Sequence, residues 1–411
     1  MREAPLLHVL GGGPWQVPTV QTAKAMGLRV LVTDMFAQRP AYALADLHEQ
    51  VDITDPQATL AVARRHGIHA VICDTTDIGV CTAAFVADQM GLPGIGLQAA
   101  QRATNKSLMR QAMAAAGVPS PAFRVARHLP EARAAVAEMG LPLILKPVDN
   151  QSGRGVVIVH NADELAQAWE LAHAHSRSRT VILEALAAGH EYIVDGFAIQ
   201  GKAQVLAIAA KTPYDDNPTI SARILYLGGA EFDLAHQKLA PATQRVIAAM
   251  GLRNGVFHAE FKLDGTQVVP LDVAARGGGV HIYPTVLPHV SGIDAIATTV
   301  GLCLGQTPAL DAHFIASPKR LGACIEFFRT PAGTVQAIEG IEQAQRIAGV
   351  AVVQVNVEAG QMVGQLLQKD DRPGYIVTLA DDHETAIEIA TRAKACLGVR
   401  MAGQPTAQPV H

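Results

Sequence analysis

Residues 256–279 read VFHAEFKLDGTQVVPLDVAARGGG, and the rest of the chain is interpreted around them. Asp264-Gly265 suits a tight hairpin turn between two apolar strands. Each strand carries one acid among hydrophobic neighbours, Glu260 on the first and Asp272 on the second. Desolvating a lone carboxylate in such a strand costs roughly several kcal/mol unless something pairs it. A hairpin can bring both side chains to one face, where oxygen ligands would compensate a hard cation. Arg276 follows four residues after Asp272. Gly277-Gly278-Gly279 then allow close backbone approach to a bound group, which makes Gly278 a candidate substrate contact. Together these features read as a site for a magnesium nucleotide. On these residues alone, a hairpin with solvent-facing acids is the competing reading.

Upstream, Leu143–Pro147 is an apolar strand interrupted by Lys146, and a polar loop, Asp149–Gly155, follows it. Backbone N–H groups of such a loop, around Ser152, Gly153 and Gly155, can surround phosphate oxygens. A lysine at the strand end adds charge to the same group. Lys106 lies in a helical pattern that stops at Gly117 with prolines beyond. Val181–Glu184 and Glu191–Ile199 read as strands. The stretch KTPYDDNPTISARILYLGG (211–229), with Lys211, Tyr214 and Arg223, reads as a polar loop.

The first hundred residues alternate strand and helix: Leu6–Leu10, Val17–Met26, Arg29–Thr33, Asp55–His66, Ala70–Cys73 and Ile78–Met90. That order predicts a parallel sheet with crossover helices. A dinucleotide site is disfavoured, because Gly11 and Gly13 are followed by Gln16 where the fingerprint needs a third glycine. Asp77 lies beyond the fourth strand, at the edge where open sheets bind ligands, although an ordinary helix N-cap is the simpler reading. From Arg320 onward, short strands alternate with helices and predict a separate small α+β domain. The Pro/Gln/Ala-rich end from about Met401 predicts a disordered tail.

A net charge of −4 offers no general attraction for nucleic acid or an anionic membrane. No segment reaches the roughly 18 to 20 apolar residues of a spanning helix. The opening MREAPLLHVLGGG has too short an apolar core for a secretory signal. The five cysteines show no CxxC spacing, which fits reduced thiols and a cytoplasmic location.

Lysine, glycine loop, strand glutamate, acidic hairpin and arginine, in this order, resemble the ATP-grasp superfamily. The resemblance covers residues 1 to about 310, and the C-terminal part is similar to the accessory domain of carboxylate–amine ligases of the L-amino-acid-ligase kind. The stretch VQTAKAMGLRVLVTDMFAQRPAYALAD also resembles formate-dependent glycinamide ribonucleotide transformylases. The fold class implied is α/β and α+β. A Rossmann-like domain (1–104) precedes an ATP-grasp domain (105–311, with a lid at 118–187), and a small α+β domain (312–400) and a tail (401–411) follow.

The resemblance implies ATP and Mg²⁺. Lys106 and Lys146 would bind phosphate, and Ser152, Gly153 and Gly155 would form the lid. Glu184 and the backbone at Leu186 would hold the adenine edge, and Glu191 the ribose. Glu260 and Asp272 would carry the metal, and Arg276 would meet the transferring phosphate. Asp77, Lys211, Arg223 and Gly278 are substrate candidates, with Arg223 preferred as a carboxylate anchor. The family pattern E-x-N-x-R reads Asp272-Val273-Ala274-Ala275-Arg276 here, and Ala274 cannot ligate a metal. The implied reaction joins a small acid to a small amine, with no nucleic acid or membrane partner and a homodimer left open. Formate or bicarbonate activation, or a nucleotide-binding module without turnover, are the alternatives. His258 shares the acidic face by the two-residue period, and a hydrogen-bonded core histidine is the simpler reading for it. His281 follows the glycine run.

Overall fold

The computed structural model describes residues 4–308, 321–404 and 406–411; the expected domain boundary at 311/312 lies outside them. The first sheet holds β1 (Leu6–Leu10), β2 (Arg29–Asp34), β3 (Leu47–Gln50) and β4 (Ala70–Ile72), all parallel, in the order β3-β2-β1-β4. Every residue of β1 is buried, as expected of a strand covered on both faces by crossover helices. Asp77 follows β4, on the edge facing the rest of the chain.

The second sheet is antiparallel: β5 (Phe123–Ala126), β6 (Leu143–Pro147), β7 (Val157–Val159) and β8 (Val181–Ala185), in the order β5-β8-β6-β7. Its core includes Leu143, Leu145, Leu183 and Trp169. Because side chains alternate along β6, Leu143 and Leu145 enter that core while Lys146 points to the opposite face. One period-2 pattern thus builds the layer and aims the lysine.

The remaining strands are β9 (His190–Ile199), β10 (Lys202–Tyr214), β11 (Asn217–Tyr226), β12 (Gly255–Asp264), β13 (Gln267–Ala274), β14 (Gly322–Phe328), β15 (Gly333–Glu339), β16 (Val350–Val355), β17 (Met362–Val363), β18 (Gly374–Ala380), β19 (Gly398–Met401) and β20 (Gln408–Pro409). Eight of them form one sheet in the order β13-β12-β9-β10-β11-β14-β18-β16. The other four pair as β17-β15-β19-β20.

Three expectations change. The polar stretch 211–229 is not a loop: it supplies the end of β10 and all of β11, and Pro213 sits at a bulge in the ladder, where a missing N–H is tolerated. Three of the C-terminal strands are not a sheet apart, since β14 pairs with β11, β18 with β14 and β16 with β18. All seven residues of β14 are buried, and such a strand needs neighbours on both edges and cover on both faces. At the tail, β20 pairs with β19, Val410 is buried, and the His411 N–H donates to the Arg329 carbonyl at 3.0 Å. The described tail residues are therefore ordered. A long helix, Gly229–Met250, carries Pro241 inside it and leads to β12. Among the described residues no single helix is long and apolar enough to cross a membrane.

Candidate active site

The hairpin β12–β13 places Glu260 directly opposite Asp272 in the antiparallel register. Directly paired residues project to the same face, so the two carboxylates lie side by side, with His258 and Ala274 paired one step along the same face. A bulge follows at Glu260/Phe261. Lys211 Nζ, almost wholly buried, donates to Glu260 Oε1 at 3.0 Å and also to Glu191. Burial works against the Glu260 charge, but Lys211, then Lys369 and His258, hold its pKa well below the usual carboxylate range. Burial likewise opposes the charge on Lys211, and Glu191 and Glu260 outweigh it and raise its pKa.

Lys106, the first residue of the helix Lys106–Ala115, lies 3.2 Å from Asp272 Oδ2 and donates to the Asn150 carbonyl at 3.2 Å. The glycine loop is thus tied to the helix start. Ser152, Gly153 and Gly155 all have positive φ, between 61° and 72°. At Gly155 a Cβ would lie 2.7 Å from His175 and 2.9 Å from Pro147, so only glycine fits there. On the sheet side, Lys146 Nζ donates to Glu184 Oε2 at 2.6 Å, and Arg110 Nε donates to Glu184 Oε1 at 2.7 Å. Both Glu184 oxygens are occupied by cations. The side chain of the residue expected, with the backbone at Leu186, at an adenine edge is thus engaged by two cations. Burial raises its pKa, but Lys146 and Arg110 outweigh that and bring it down to about 2.

Leu186 does line a pocket of about 290 Å³, together with Ser120, Pro121, Asp264, Gln267 and Val269. It opens between the end of β8 and the hairpin. Glu191 lies 4.0 Å from Lys262 as well as against Lys211.

Arg276 pairs with Asp77, so the N-terminal sheet edge meets the hairpin's arginine. The Asp77 N–H donates to Gln151 Oε1 at 3.2 Å, and the Gly277 N–H to the Asp74 carbonyl at 2.8 Å. The three parts of the chain converge at this point. The glycines after Arg276 serve close packing: a Cβ on Gly277 would lie 2.3 Å from the Tyr283 ring, and one on Gly278 would lie 2.8 Å from Ile282 and 3.0 Å from His258 Nδ1. That is a packing reason for glycine where the sequence suggested room for a bound group. His258 Nδ1 is hydrogen-bonded to the fully buried Asp195 at 2.7 Å, and Tyr226 donates to the other Asp195 oxygen at 2.6 Å. His281 takes a left-handed conformation (φ 63°) and packs edge-on against Trp15.

Arg223 does not stand free to anchor an acid. Its Nε donates to Glu326 Oε2 at 2.6 Å, and Lys394 Nζ holds the other Glu326 oxygen at 2.6 Å. Arg223→Ala is expected to cost about 1–3 kcal/mol of stability by urea unfolding, since Glu326 keeps Lys394 as partner. Nucleotide affinity should stay unchanged. Tyr214 stacks its ring under Arg329, 3.7 Å from the guanidinium carbon.

Two contributors escape a reading of the sequence. Arg110 is completely buried, and its only local signal is a position four residues after Lys106 on the same helix face. Lys369 comes from the C-terminal segment and lies 3.9 Å from Glu260. Hard carboxylate oxygens on one face, ringed by lysines and one arginine, can hold a divalent cation and neutralise a polyphosphate.

Residues 139–283 match the family model of the ATP-grasp domain, and residues 326–402 that of the L-amino acid ligase C-terminal domain 2. Alanine–anticapsin ligase of Bacillus subtilis is 27% identical over 63% of this chain and 60% of its own length. Formate-dependent phosphoribosylglycinamide formyltransferase of Synechococcus sp. (strain CC9902) is 25% identical over 95% of this chain and 96% of its own. The crystal structure of L-amino acid ligase from Bacillus licheniformis superposes with a TM-score of 0.81 at 19% identity, covering 98% of this chain and 100% of that one. The chain has the ATP-grasp fold and carries an ATP-grasp domain.

Proposed function

We propose that this protein is an ATP-dependent carboxylate–amine ligase that forms an amide through an acyl phosphate and releases ADP and phosphate. The observation that carries the reading is the cross-strand pair Glu260/Asp272 with Lys106 and Lys211 on its two carboxylates. The donor set suits Mg²⁺: two hard carboxylates share one face and would hold the ion, and the nearby ammoniums suit phosphate oxygens. When bound, the ion would neutralise charge on the transferring phosphoryl group. The relatedness to alanine–anticapsin ligase and to an L-amino acid ligase supports an amino acid among the substrates.

The chain's own residues would then act mainly by position and charge. Lys106, Lys146 and the loop at Ser152, Gly153 and Gly155 would hold phosphate oxygens, and the Leu186 pocket would take the base. Glu191 is kept as the ribose contact. Arg276 would meet the developing phosphoryl charge, steered by Asp77, in line with catalysis by placement and electrostatics. In this reading residues 1–104 and 118–187 are the substrate-side and lid units around the central sheet.

Incubating the purified protein with Mg-ATP, the twenty amino acids, formate and small amines, with ADP release followed and products identified by mass spectrometry, tests the reading. An amide product with stoichiometric ADP is expected. A formylated amine would favour the formate-activating alternative, which the nearly full-length likeness to the formyltransferase supports. Nucleotide binding with no ADP from any mixture would favour a module without turnover.

A further inference from the structure

The short 3-10 turn Lys369–Asp371 belongs to the C-terminal segment, yet it lies against the glycine loop and the acidic hairpin. Arg154 Nε donates to Asp370 Oδ2 at 2.7 Å across 216 residues of sequence. A Cβ on Gly153 would lie 3.7 Å from Lys369 Cε, in ordinary contact. The turn is also braced from within. Asp371 Oδ2 accepts from the N–H groups of Leu367 and Gln368 at 3.0 and 2.9 Å. Arg372 Nε donates to the Lys369 carbonyl at 2.7 Å, and its guanidinium lies 3.5 Å over the Phe327 ring. The Lys369 side chain is therefore carried on a fixed support into the site.

The lysine itself is under-partnered. Its side chain is about three-quarters buried, and its acidic neighbour, Glu260, stands 3.9 Å away, beyond hydrogen-bond reach. Lys211 already holds that carboxylate oxygen at 3.0 Å. Burying an ammonium without a close oxygen is costly, and two ammoniums on one carboxylate favour a bound oxyanion between them.

We infer that Lys369 is an oxyanion-holding residue of the active site, delivered by the C-terminal segment, and that the Arg154–Asp370 pair positions it. This rests on the ligase reading above and adds a residue to it. The ligand is a charged oxygen group at the Glu260 end of the site. It is supplied either by the γ-phosphoryl group of the nucleotide or by the carboxylate of the acid substrate. Because Asp370 grips Arg154 of the glycine loop, movement of that loop is coupled to the place of the lysine.

Calorimetric titration of wild type, Lys369→Ala, Lys369→Arg and Asp370→Asn with Mg-ADP and Mg-AMPPNP separates the cases. If Lys369 meets the γ-phosphoryl, Lys369→Ala weakens AMPPNP binding about tenfold or more, with ADP affinity within about twofold of wild type. Lys369→Arg recovers most of the loss, and Asp370→Asn shows a smaller loss in the same direction. If Lys369 meets the acid, both nucleotide affinities hold. The KM for whichever acid gives the most ADP release then rises about tenfold in Lys369→Ala. A folded Lys369→Ala protein with unchanged affinities and KM overturns the inference, as does an equal loss for ADP and AMPPNP, which would indicate a structural role. Wild type that binds neither nucleotide would instead sink the ligase reading itself.

Discussion

In Glu260→Gln, turnover is expected to fall roughly 10²- to 10³-fold, by analogy with the loss of one preorganised charge at other active sites, while the circular dichroism spectrum stays that of the wild type. The fold should survive because the buried Lys211 keeps Glu191, which it also contacts. Removing one negative charge leaves that ammonium paired rather than stranded. The chemistry should not survive, because glutamine offers a neutral oxygen where a divalent cation needs an anionic one. Asp272→Asn should behave alike, with Lys106 losing an ion pair at 3.2 Å but keeping the Asn150 carbonyl. The concentration of Mg²⁺ giving half-maximal activity should rise in both variants. Normal turnover in both would remove the carboxylate pair from the metal site.

The hairpin was legible because its signals are local. A two-residue turn sits between alternating strands, and both acids stand out among apolar neighbours; counted from that turn, Glu260 would face Leu271, and the bulge at Glu260/Phe261 shifts the register so that Asp272 faces it instead. The same period told Lys146 apart from the core leucines of β6. Where partners are far apart in sequence, no such pattern exists. Arg110 and Glu184 are 74 residues apart, and Arg154 and Asp370 are 216 apart, so neither pair leaves a periodic trace. The hairpin of β10 and β11 was obscured by Pro213 and Pro218, residues that read as loop signals although one of them sits at a bulge. The C-terminal strands looked like a module apart because strand order in a sheet is not written in the order of the chain. Tertiary pairing with β11 recruited β14, and β14 recruited β18. Arg223 shows the same limit at one side chain. Its fork suited a substrate carboxylate on chemical grounds, but the neighbouring strand supplied Glu326 instead.

The second large effect expected is on stability. Glu184 is almost wholly buried between Arg110, with no exposed side-chain surface, and Lys146. Burial of three charges is tolerable only while the carboxylate answers both cations. Glu184→Gln keeps the shape and removes the charge, leaving two buried cations facing a neutral amide. The cost is expected to be about 3–5 kcal/mol, a large part of the roughly 5–15 kcal/mol that holds a folded domain together. The midpoint of urea unfolding reads this directly. A second variant tests the cause. Arg110 lies with its guanidinium 3.8 Å from Met109 Sδ and 3.7 Å from Met113 Sδ, so a methionine would suit its surroundings. Arg110→Met combined with Glu184→Gln should recover a good part of the loss, because the more deeply buried of the two uncompensated cations goes with the carboxylate. The wild type offers a pH test of the same pair. With the folded pKa lowered from the ordinary 4.5 to about 2, the Glu184 charge stabilises the fold fully above pH 4.5. That contribution is lost as the pH falls from 4.5 towards 2. Glu184→Gln should lose less stability than wild type across that interval. A single-variant cost under about 1 kcal/mol, within the range of a surface ion pair, would show that this cluster does not bind the sheet of β5–β8 to the helix carrying Lys106. Lys146 would then be free to meet phosphate without first leaving Glu184.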